Sequence, residues 1–446
     1  MTESPRPLAV LVAVRLPDTD AASSDASLDE LQRLVTTLGY TVTARVVQAR
    51  TSLAPAAVIG EGKLQELAAL TGGTGSAHPV LPLAQRAKQD QAEPEERSVP
   101  DPPIALVAVD HDISPSQLRN LERACAVPVL DRSGTIIEIF HRHARSREAR
   151  LEVEIARLAY EAPRLRESPR GKEKQHLRGA GDSALEIDRR RIRDRIAELR
   201  RELAAIAREQ AVRRQHRRGA RRVALVGYTN AGKSSLMRSL TSSDVHVEDK
   251  LFATLDTTVR ALAPPAKPRI LVSDTVGFIK KLPHDLVASF KSTLDEALEA
   301  SLLLHVVDAS DPDFHEQMVV TRAVLSDISA DHVPSRVVMN KVDRLPAERL
   351  AQLAAELPDA WFISARSADD VARVRASIID FFESRYEELE LVVPYDQQKL
   401  LSEMHELGRV VSEQFEDEAV RVRFRSDPEV LSSFRARLRL TAGTLG

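Results

Sequence analysis

The chain has 446 residues, a formal net charge of −3, 43% apolar and 29% charged residues, the profile of an ordinary globular protein too long for one core. Its single cysteine, Cys125, excludes a disulfide framework and fits a reducing, cytoplasmic setting. No apolar run approaches the ~20 residues that span a bilayer, and the N-terminal LAVLVAV at 8–14, with Glu3 before it and no small-residue cleavage site after it, predicts a buried strand and not a signal peptide.

From the N-terminus, residues 8–70 alternate apolar runs with helical patterns: LAVLVAV, SLDELQRLVTTLGY, TVTARVV and GKLQELAAL. That is the signature of an α/β unit. Residues 71–103, rich in Gly, Pro, Gln and Glu and without periodicity, are expected to form a mobile insertion within this first domain, residues 1–140. A strand IALVAVD follows at 104–110. Ser114-Pro115 then sets a helix start for a helix reaching about Ala124, and VPVLD at 127–131 predicts a further strand.

From residue 141 the pattern changes. Leu151, Ile155, Leu158, Ala162 and Leu165 step by four and three, as do Ile192, Ile196, Leu199, Leu203 and Ile206. Such narrow apolar seams on highly charged segments predict two long helices, folded as an antiparallel hairpin over 141–218 with its tip at ESPRGKEKQHLRGAGDS, 167–183. Residues 141–222 hold 25 Lys/Arg against 13 Asp/Glu, on a chain that is acidic overall. A local basic excess of this kind points to a polyanion; the alternative is a solvated face of ion pairs. Arg170, Lys172, Lys174 and Arg178 in the tip are candidate phosphate contacts, although three acidic residues share that loop. Arg213, Arg214, Arg217 and Arg218 at the far end of the second helix are candidates too, with only Gly219-Ala220 before the next strand.

Residues 219–386 repeat strand, loop and helix as a doubly wound, mostly parallel sheet does. The tail, 387–446, reads as a small separate α/β domain: LELVVP, a helix to about Gln414, AVRVRFR and a last helix. The fold class expected is therefore α/β, a P-loop domain flanked by an N-terminal α/β domain, a basic helical hairpin and a small C-terminal α/β domain.

VALVG at 223–227 runs into GYTNAGKS at 227–234, which matches G-x-x-x-x-G-K-[ST]. Two glycines let backbone N–H groups curl around a phosphate. The residues expected against the phosphates are Gly227, Tyr228, Asn230, Ala231, Gly232, Lys233, Ser234 and Ser235. Lys233 can reach the β/γ-phosphates and the Ser234 hydroxyl can ligate Mg²⁺. ILVSDTVG at 270–277 ends a strand at Asp274, suited to Mg²⁺, and turns to Gly277, whose N–H suits a γ-phosphate. The threonine-rich LFATLDTTVR at 251–260 offers Thr254, Thr257 and Thr258 to complete the Mg²⁺ shell, Thr254 favoured. Lys233, Thr254 and Gly277 are thus the groups expected around a reacting γ-phosphate, and Ser234, Thr254 and Asp274 the metal set.

VVMNKVD at 337–343 decides the base. Asp343 can accept from the N1–H and 2-amino group of guanine, whereas adenine would leave that carboxylate unpaired. Asn340 can hold the loop and meet N7, the Lys341 stem can cover the base, and the Ser364-Ala365 backbone in WFISAR can meet O6. Phe278 follows Asp-x-x-Gly where Ras-like enzymes carry a water-orienting glutamine. A phenyl ring cannot do that, so GTP turnover is expected to be slow until a partner acts.

On these residues the chain resembles the HflX family of translational GTPases. The resemblance is carried by GYTNAGKSSL, LFATLDTTVR, DTVGFIKKLPHDLVASFKSTLDE (274–296), LLLHVVDAS (302–310), NKVD, VIGEGKLQEL (58–67), DHDISPSQLRNLE (110–122) and LEVEIARLAY (151–160). It implies binding to the large ribosomal subunit, dissociation or rescue of stalled or stress-arrested ribosomes, and hydrolysis stimulated by ribosomal particles. Family members carry a GPGETQLE-like stretch where this chain has GAGDSALEIDRR, 179–190. A GTP-gated scaffold for ribosome assembly, with hydrolysis as a timer, would use the same residues. An RNA-remodelling ATPase would not, because of Asp343. Histidines lack ligand spacing, so Mg²⁺ is the one metal expected; nothing demands more than a cytoplasmic monomer.

Overall fold

In the computed structural model the described residues are 6–77, 103–165, 184–215, 221–242, 251–252, 258–280 and 296–442, with backbone alone at 184–185, 210–215 and 439–442. One compact unit takes in residues up to Leu203 and another begins at Ala204.

In the first unit, strands β1 (Leu8–Arg15), β2 (Thr41–Ala49), β3 (Ile104–Val109) and β4 (Val129–Asp131) form a parallel sheet in the order β2-β1-β3-β4. Helices α1 (Ala21–Thr37), α2 (Glu61–Thr71), α3 (Pro115–Cys125) and α4 (Arg132–His143) accompany it. Val10, Val12, Val107, Val109, Leu64 and Leu67 share one core. The Ser114-Pro115 start is a complete capping box: the Ser114 hydroxyl accepts from the Gln117 N–H at 3.2 Å, and the Gln117 side chain accepts from the Ser114 N–H at 2.9 Å. Cys125 is sealed in the core, and burial pushes its thiol up to about 12. Of the stretch expected as an insertion, residues 71–77 are fixed, Gly75 N–H donating to Ala124 C=O at 3.0 Å; the rest, 78–102, lies outside the described residues.

Helix α4 has no counterpart in the sequence reading. RSGTIIEIFHRH is buried through most of its length, Arg132, Ser133 and Thr135 included, so its buried face is not the apolar one by which amphipathic helices are recognised. Its N-cap, Asp131, is fully buried and accepts from Gly134 N–H, the Tyr160 hydroxyl (both 2.7 Å) and Arg164 (2.8 Å). The Arg164 guanidinium also stacks 3.5 Å from the Tyr160 ring centroid.

The two charged helices are α5 (Arg147–Glu161) and α6 (Ala184–Gln215). Ion pairs Arg147–Glu202 and Arg195–Glu154, both 3.1 Å, join early residues of one to late residues of the other, so they run antiparallel. Leu151, Ile155 and Leu199 are buried along the seam. Ala162 and Leu165, counted into the helical period, lie beyond the end of α5: Pro163 lies in a tight 3₁₀ turn, Ala162–Arg164. The expected tip, 167–183, lies outside the described residues.

The second unit holds a six-stranded sheet of β5 (Arg221–Gly227), β6 (Thr258–Ala261), β7 (Ile270–Asp274), β8 (Leu302–Asp308), β9 (Ser335–Asn340) and β10 (Trp361–Phe362), in the order β10-β9-β8-β5-β7-β6. Only the edge pair β6–β7 is antiparallel. Helices α7 (Lys233–Thr241), α8 (Phe314–Asp327), α9 (Ala347–Glu356) and α10 (Ala368–Glu383) complete the doubly wound P-loop fold.

The C-terminal part is an antiparallel sheet, β11-β13-β12, from β11 (Glu387–Pro394), β12 (Arg409–Phe415) and β13 (Ala419–Ser426), with α11 (Gln398–Leu407) and α12 (Pro428–Ala442). Here the helix expected to reach Gln414 ends at Leu407. Gly408 stops it in extended backbone, where a Cβ would meet Arg425 C=O at 2.5 Å and the Phe424 ring at 2.6 Å. RVVSEQF then pairs with β13 as a strand.

Replacing Asp131 with Ala removes the shared acceptor of one buried and two part-buried donors, one of them charged, and is expected to destabilise the first unit by about 3 kcal/mol. Urea unfolding monitored by hydrogen exchange in α4 and α5 measures this; an unchanged midpoint would show that Asp131 does not hold the cluster together.

Candidate functional site

Apolar β5 lies between β7 and β8 and delivers the chain to the C-terminal edge of a parallel sheet, where such folds bind ligands. There Gly227 adopts φ 145°, and a Cβ on it would lie 2.1 Å from Val306 C=O, so no other residue fits. Gly232 turns at φ 95°, and its Cβ would lie 2.2 Å from Asn340 Nδ2. Helix α7 starts at the next residue, its N-terminal N–H groups and dipole directed at the loop.

Lys233 is buried inside this cradle, its ammonium donating to Gly227 C=O (3.1 Å) and Tyr228 C=O (2.8 Å). Burial pulls its pKa down to about 8, against the opposing pull of Asp274. The Ser234 hydroxyl donates to Asp274 Oδ2 at 2.6 Å, and Asp274 is fully buried. A hydroxyl and a carboxylate so close at the mouth of the cradle are the hard oxygen donors Mg²⁺ takes, few in number because the ion keeps waters and substrate oxygens. No group of three or more His, Cys, Asp or Glu is gathered as a metal centre among the described residues. Thr254 and Thr257 lie outside the described residues; Thr258 sits in β6 opposite Asp274.

Gly277 lies directly over the cradle. A Cβ there would come within 2.8 Å of Thr229 Cα and 3.0 Å of Lys233 Nζ. Phe278 N–H donates to Gly227 C=O at 3.1 Å, and Phe278 C=O accepts from Thr229 N–H at 2.8 Å. The Phe278 ring is buried.

The base-side residues gather around Asn340. Its Nδ2 donates to Ala231 C=O at 2.9 Å and its Oδ1 accepts from Ala365 N–H at 3.0 Å, so one buried amide ties the cradle to the WFISAR turn. Lys341, at φ 63°, donates to Asn230 C=O and pairs with Asp308, both at 2.7 Å. Asp343 is exposed, and the Ser364 hydroxyl beside it holds its carboxyl below the usual range. Ser364 N–H donates to Asp370 Oδ2 at 2.7 Å. Ser235 follows Ser234 in the first turn of α7.

Sequence reasoning did not single out Asp308, the partner of Lys341; its place at the end of β8 in LLLHVVDAS was the available signal. It also missed His305, which is buried in β8 with burial, Arg322 and Lys233 lowering its pKa to about 4. Of the basic candidates, Arg170, Lys172, Lys174, Arg178, Arg217 and Arg218 lie outside the described residues, and Arg213 and Arg214 are described in backbone alone, within α6. Their neighbours Arg221 and Arg222 are taken by Asp427 and Glu299.

Three family models match the chain: "GTP-binding GTPase N-terminal" at 25–81 and 88–141, "GTP-binding GTPase Middle Region" at 143–217, and "50S ribosome-binding GTPase" at 222–341. The chain is 56% identical over 445 residues to "GTPase HflX" of Gluconacetobacter diazotrophicus, covering 98% of this chain and 99% of that one. It is 36% identical to "GTPase HflX" of Caldanaerobacter subterraneus, over 97% and 92% of the two. A GTP-binding protein of Sulfolobus solfataricus solved with GDP shares 23% identity at a TM-score of 0.43, over 83% of this chain and 99% of that one.

Lys233 sets a pH signature. Its ammonium is charged below its pKa of about 8 and neutral above it, and a phosphate binds the charged form. GDP affinity should be flat to about pH 7 and fall roughly tenfold by pH 9; fluorescent-GDP titration across that range measures it, and a flat profile would show that Lys233 does not contact the phosphates.

Proposed function

The chain belongs to the HflX family of GTPases, and from that premise we propose that it binds the large ribosomal subunit and uses GTP to dissociate or rescue stalled or stress-arrested ribosomes. The GTPase activity, GTP to GDP and phosphate, follows from the family; the ribosomal target is the further step. It is supported by the match of residues 222–341 to the model described as "50S ribosome-binding GTPase" and by the basic excess of residues 141–222. The observation that carries it is Phe278. It is buried where Ras-like enzymes place a water-orienting side chain, so a group from outside must order the attacking water.

The chain's own residues then divide the work. Gly227, Tyr228, Asn230, Ala231, Gly232, Ser234 and Ser235 would line the phosphates, with Lys233 against the β/γ oxygens and the Gly277 N–H against the γ-phosphate. Asn340, Lys341, Asp343, Ser364 and Ala365 would hold and select guanine. Ser234 and Asp274, with Thr254, would hold Mg²⁺, which neutralises phosphate charge when bound. Arg213, Arg214, Arg217 and Arg218, with Arg170, Lys172, Lys174 and Arg178, would meet ribosomal RNA. The domains we propose are 1–140, 141–218, 219–386 and 387–446, in a cytoplasmic monomer; no helix among the described residues is long and apolar enough to cross a membrane.

GTP turnover by the purified chain should be well below about 1 s⁻¹, the range of assisted GTPases, and rise sharply with large ribosomal subunits while ATP turnover does not. GTP binding without stimulation would favour the assembly scaffold. Asp343→Asn should weaken GTP binding about 100-fold or more, because the amide keeps one acceptor and turns an N–H toward the other guanine donor; unchanged GTP affinity would refute a role in base selection. Changing Arg213, Arg214, Arg217 and Arg218 together to Glu should abolish subunit co-sedimentation and spare GTP binding, and unchanged co-sedimentation would remove these arginines from the interface.

A further inference from the structure

We propose that the Tyr228 hydroxyl is a positioning group for hydrolysis: it accepts the Lys280 backbone N–H and so latches the segment after Asp274 onto the phosphate cradle. It rests on the assignment of the Gly277 N–H to the γ-phosphate.

The cradle motif asks nothing of its second position, where any side chain satisfies G-x-x-x-x-G-K-[ST]. Here that position carries a tyrosine whose ring is buried and whose hydroxyl accepts from Lys280 N–H at 2.7 Å, 52 residues away. A buried tyrosine hydroxyl normally keeps a hydrogen-bond partner, and this one lies on the segment that must register a γ-phosphate. Two backbone bonds fasten the same segment two residues earlier, Phe278 N–H to Gly227 C=O and Thr229 N–H to Phe278 C=O. Gly227, Tyr228 and Thr229 thus grip Phe278 and Lys280 with three hydrogen bonds at two points.

Gly277 lies just before the grip, close enough that a side chain on it would collide with Thr229 and approach Lys233 Nζ. Its N–H is therefore carried at a height above the cradle set by the fastening at residues 278 and 280. The backbone bonds fix one point. The hydroxyl fixes the second and removes the remaining swing. Beyond it the Lys280 ammonium pairs with Glu316, at 2.5 Å, on α8, so the latched residue is also tied to the body of the domain.

The role belongs to the hydroxyl alone and is distinct from that of the Tyr228 backbone, which lines the cradle, holds the Lys233 ammonium through its C=O and is kept in Tyr228→Phe. The GDP-facing parts of the cradle — Lys233, Ser234 and the turn at Gly232 — do not depend on the hydroxyl. Tyr228→Phe keeps the buried ring and removes that one oxygen, so GDP affinity should stay within about twofold. The single-turnover GTP hydrolysis rate of the full chain should drop about fivefold, the worth of one hydrogen bond to a neutral partner. Lys280→Pro removes the N–H from the other side together with the ion pair to Glu316 and should lose at least as much, and adding Tyr228→Phe to it should cost nothing further. Gly277→Ala serves as the reference for the γ-phosphate contact and should lose hydrolysis more strongly than either.

A parental hydrolysis rate in Tyr228→Phe, with Gly277→Ala impaired, would overturn the latch and leave the γ-phosphate assignment standing. Parental rates in both would overturn the assignment and the latch together. Equal losses of GDP affinity and of rate in Tyr228→Phe would reduce the hydroxyl to a support of the pocket and overturn the proposal as well.

Discussion

One side chain sets the spacing of the whole nucleotide site. Asn340 leaves the end of β9 and bonds the cradle after β5 with one end of its amide and the turn after β10 with the other. Those loops come from strands that are not neighbours in the sheet, and no backbone ladder joins them. The distance between cradle and base loop is held by this buried amide together with the Lys341 ammonium on Asn230 C=O. The approach is so close that Gly232 has room for no side chain. Cradle, base loop and turn must be assembled together, and a change in any one is transmitted through Asn340 to the other two.

The two large buried polar clusters follow opposite logics. Around Asp131, each charge is matched by an opposite one inside the protein: Gly134, Tyr160 and Arg164 converge on one carboxylate, while Arg132 pairs with Asp110 and Glu30. Such a cluster gains from being left alone, since removing one member strands the others. Around Lys233, a buried ammonium rests on two backbone carbonyls, and burial erodes its charge. A cation held in that way is short of negative charge, which a phosphate would supply. The first cluster is a weld; the second is a socket.

What could be read from the sequence followed from how local the determining physics is. The cradle, Asn340-Lys341-Val342-Asp343 and the Ser114 cap each depend on neighbours a few residues apart, and each lies where its motif puts it. The β12 strand was read as helix because RVVSEQF carries charge and polarity suited to either; what decides it is Gly408 pressed against Phe424 and pairing with β13, both contacts made by the folded domain. Helix α4 is hidden for a related reason: it buries Arg132, Ser133 and Thr135 along with its apolar residues, so polarity does not mark its buried face. The early end of α5 comes from Pro163, although the apolar steps at Ala162 and Leu165 stay in period beyond it. Asn340 could be named for its motif, yet its bond to Ala365 joins positions 25 residues apart, and nothing in the spacing announces it. The hydroxyl of Tyr228 is the same case at longer range.

Cys125, sealed at the end of α3, has a consequence for how motion in this protein can be watched. It is the chain's one thiol, has no exposed surface, and is held protonated far above neutral pH, whereas it is the thiolate that attacks thiol reagents. The native chain is in effect silent toward maleimides and nitroxide labels. A single cysteine introduced on an exposed helix face would be the one reactive site, with no natural sulfur to remove first and no core substitution to correct for. Pairs of such labels can report distances in a background the fold itself keeps blank.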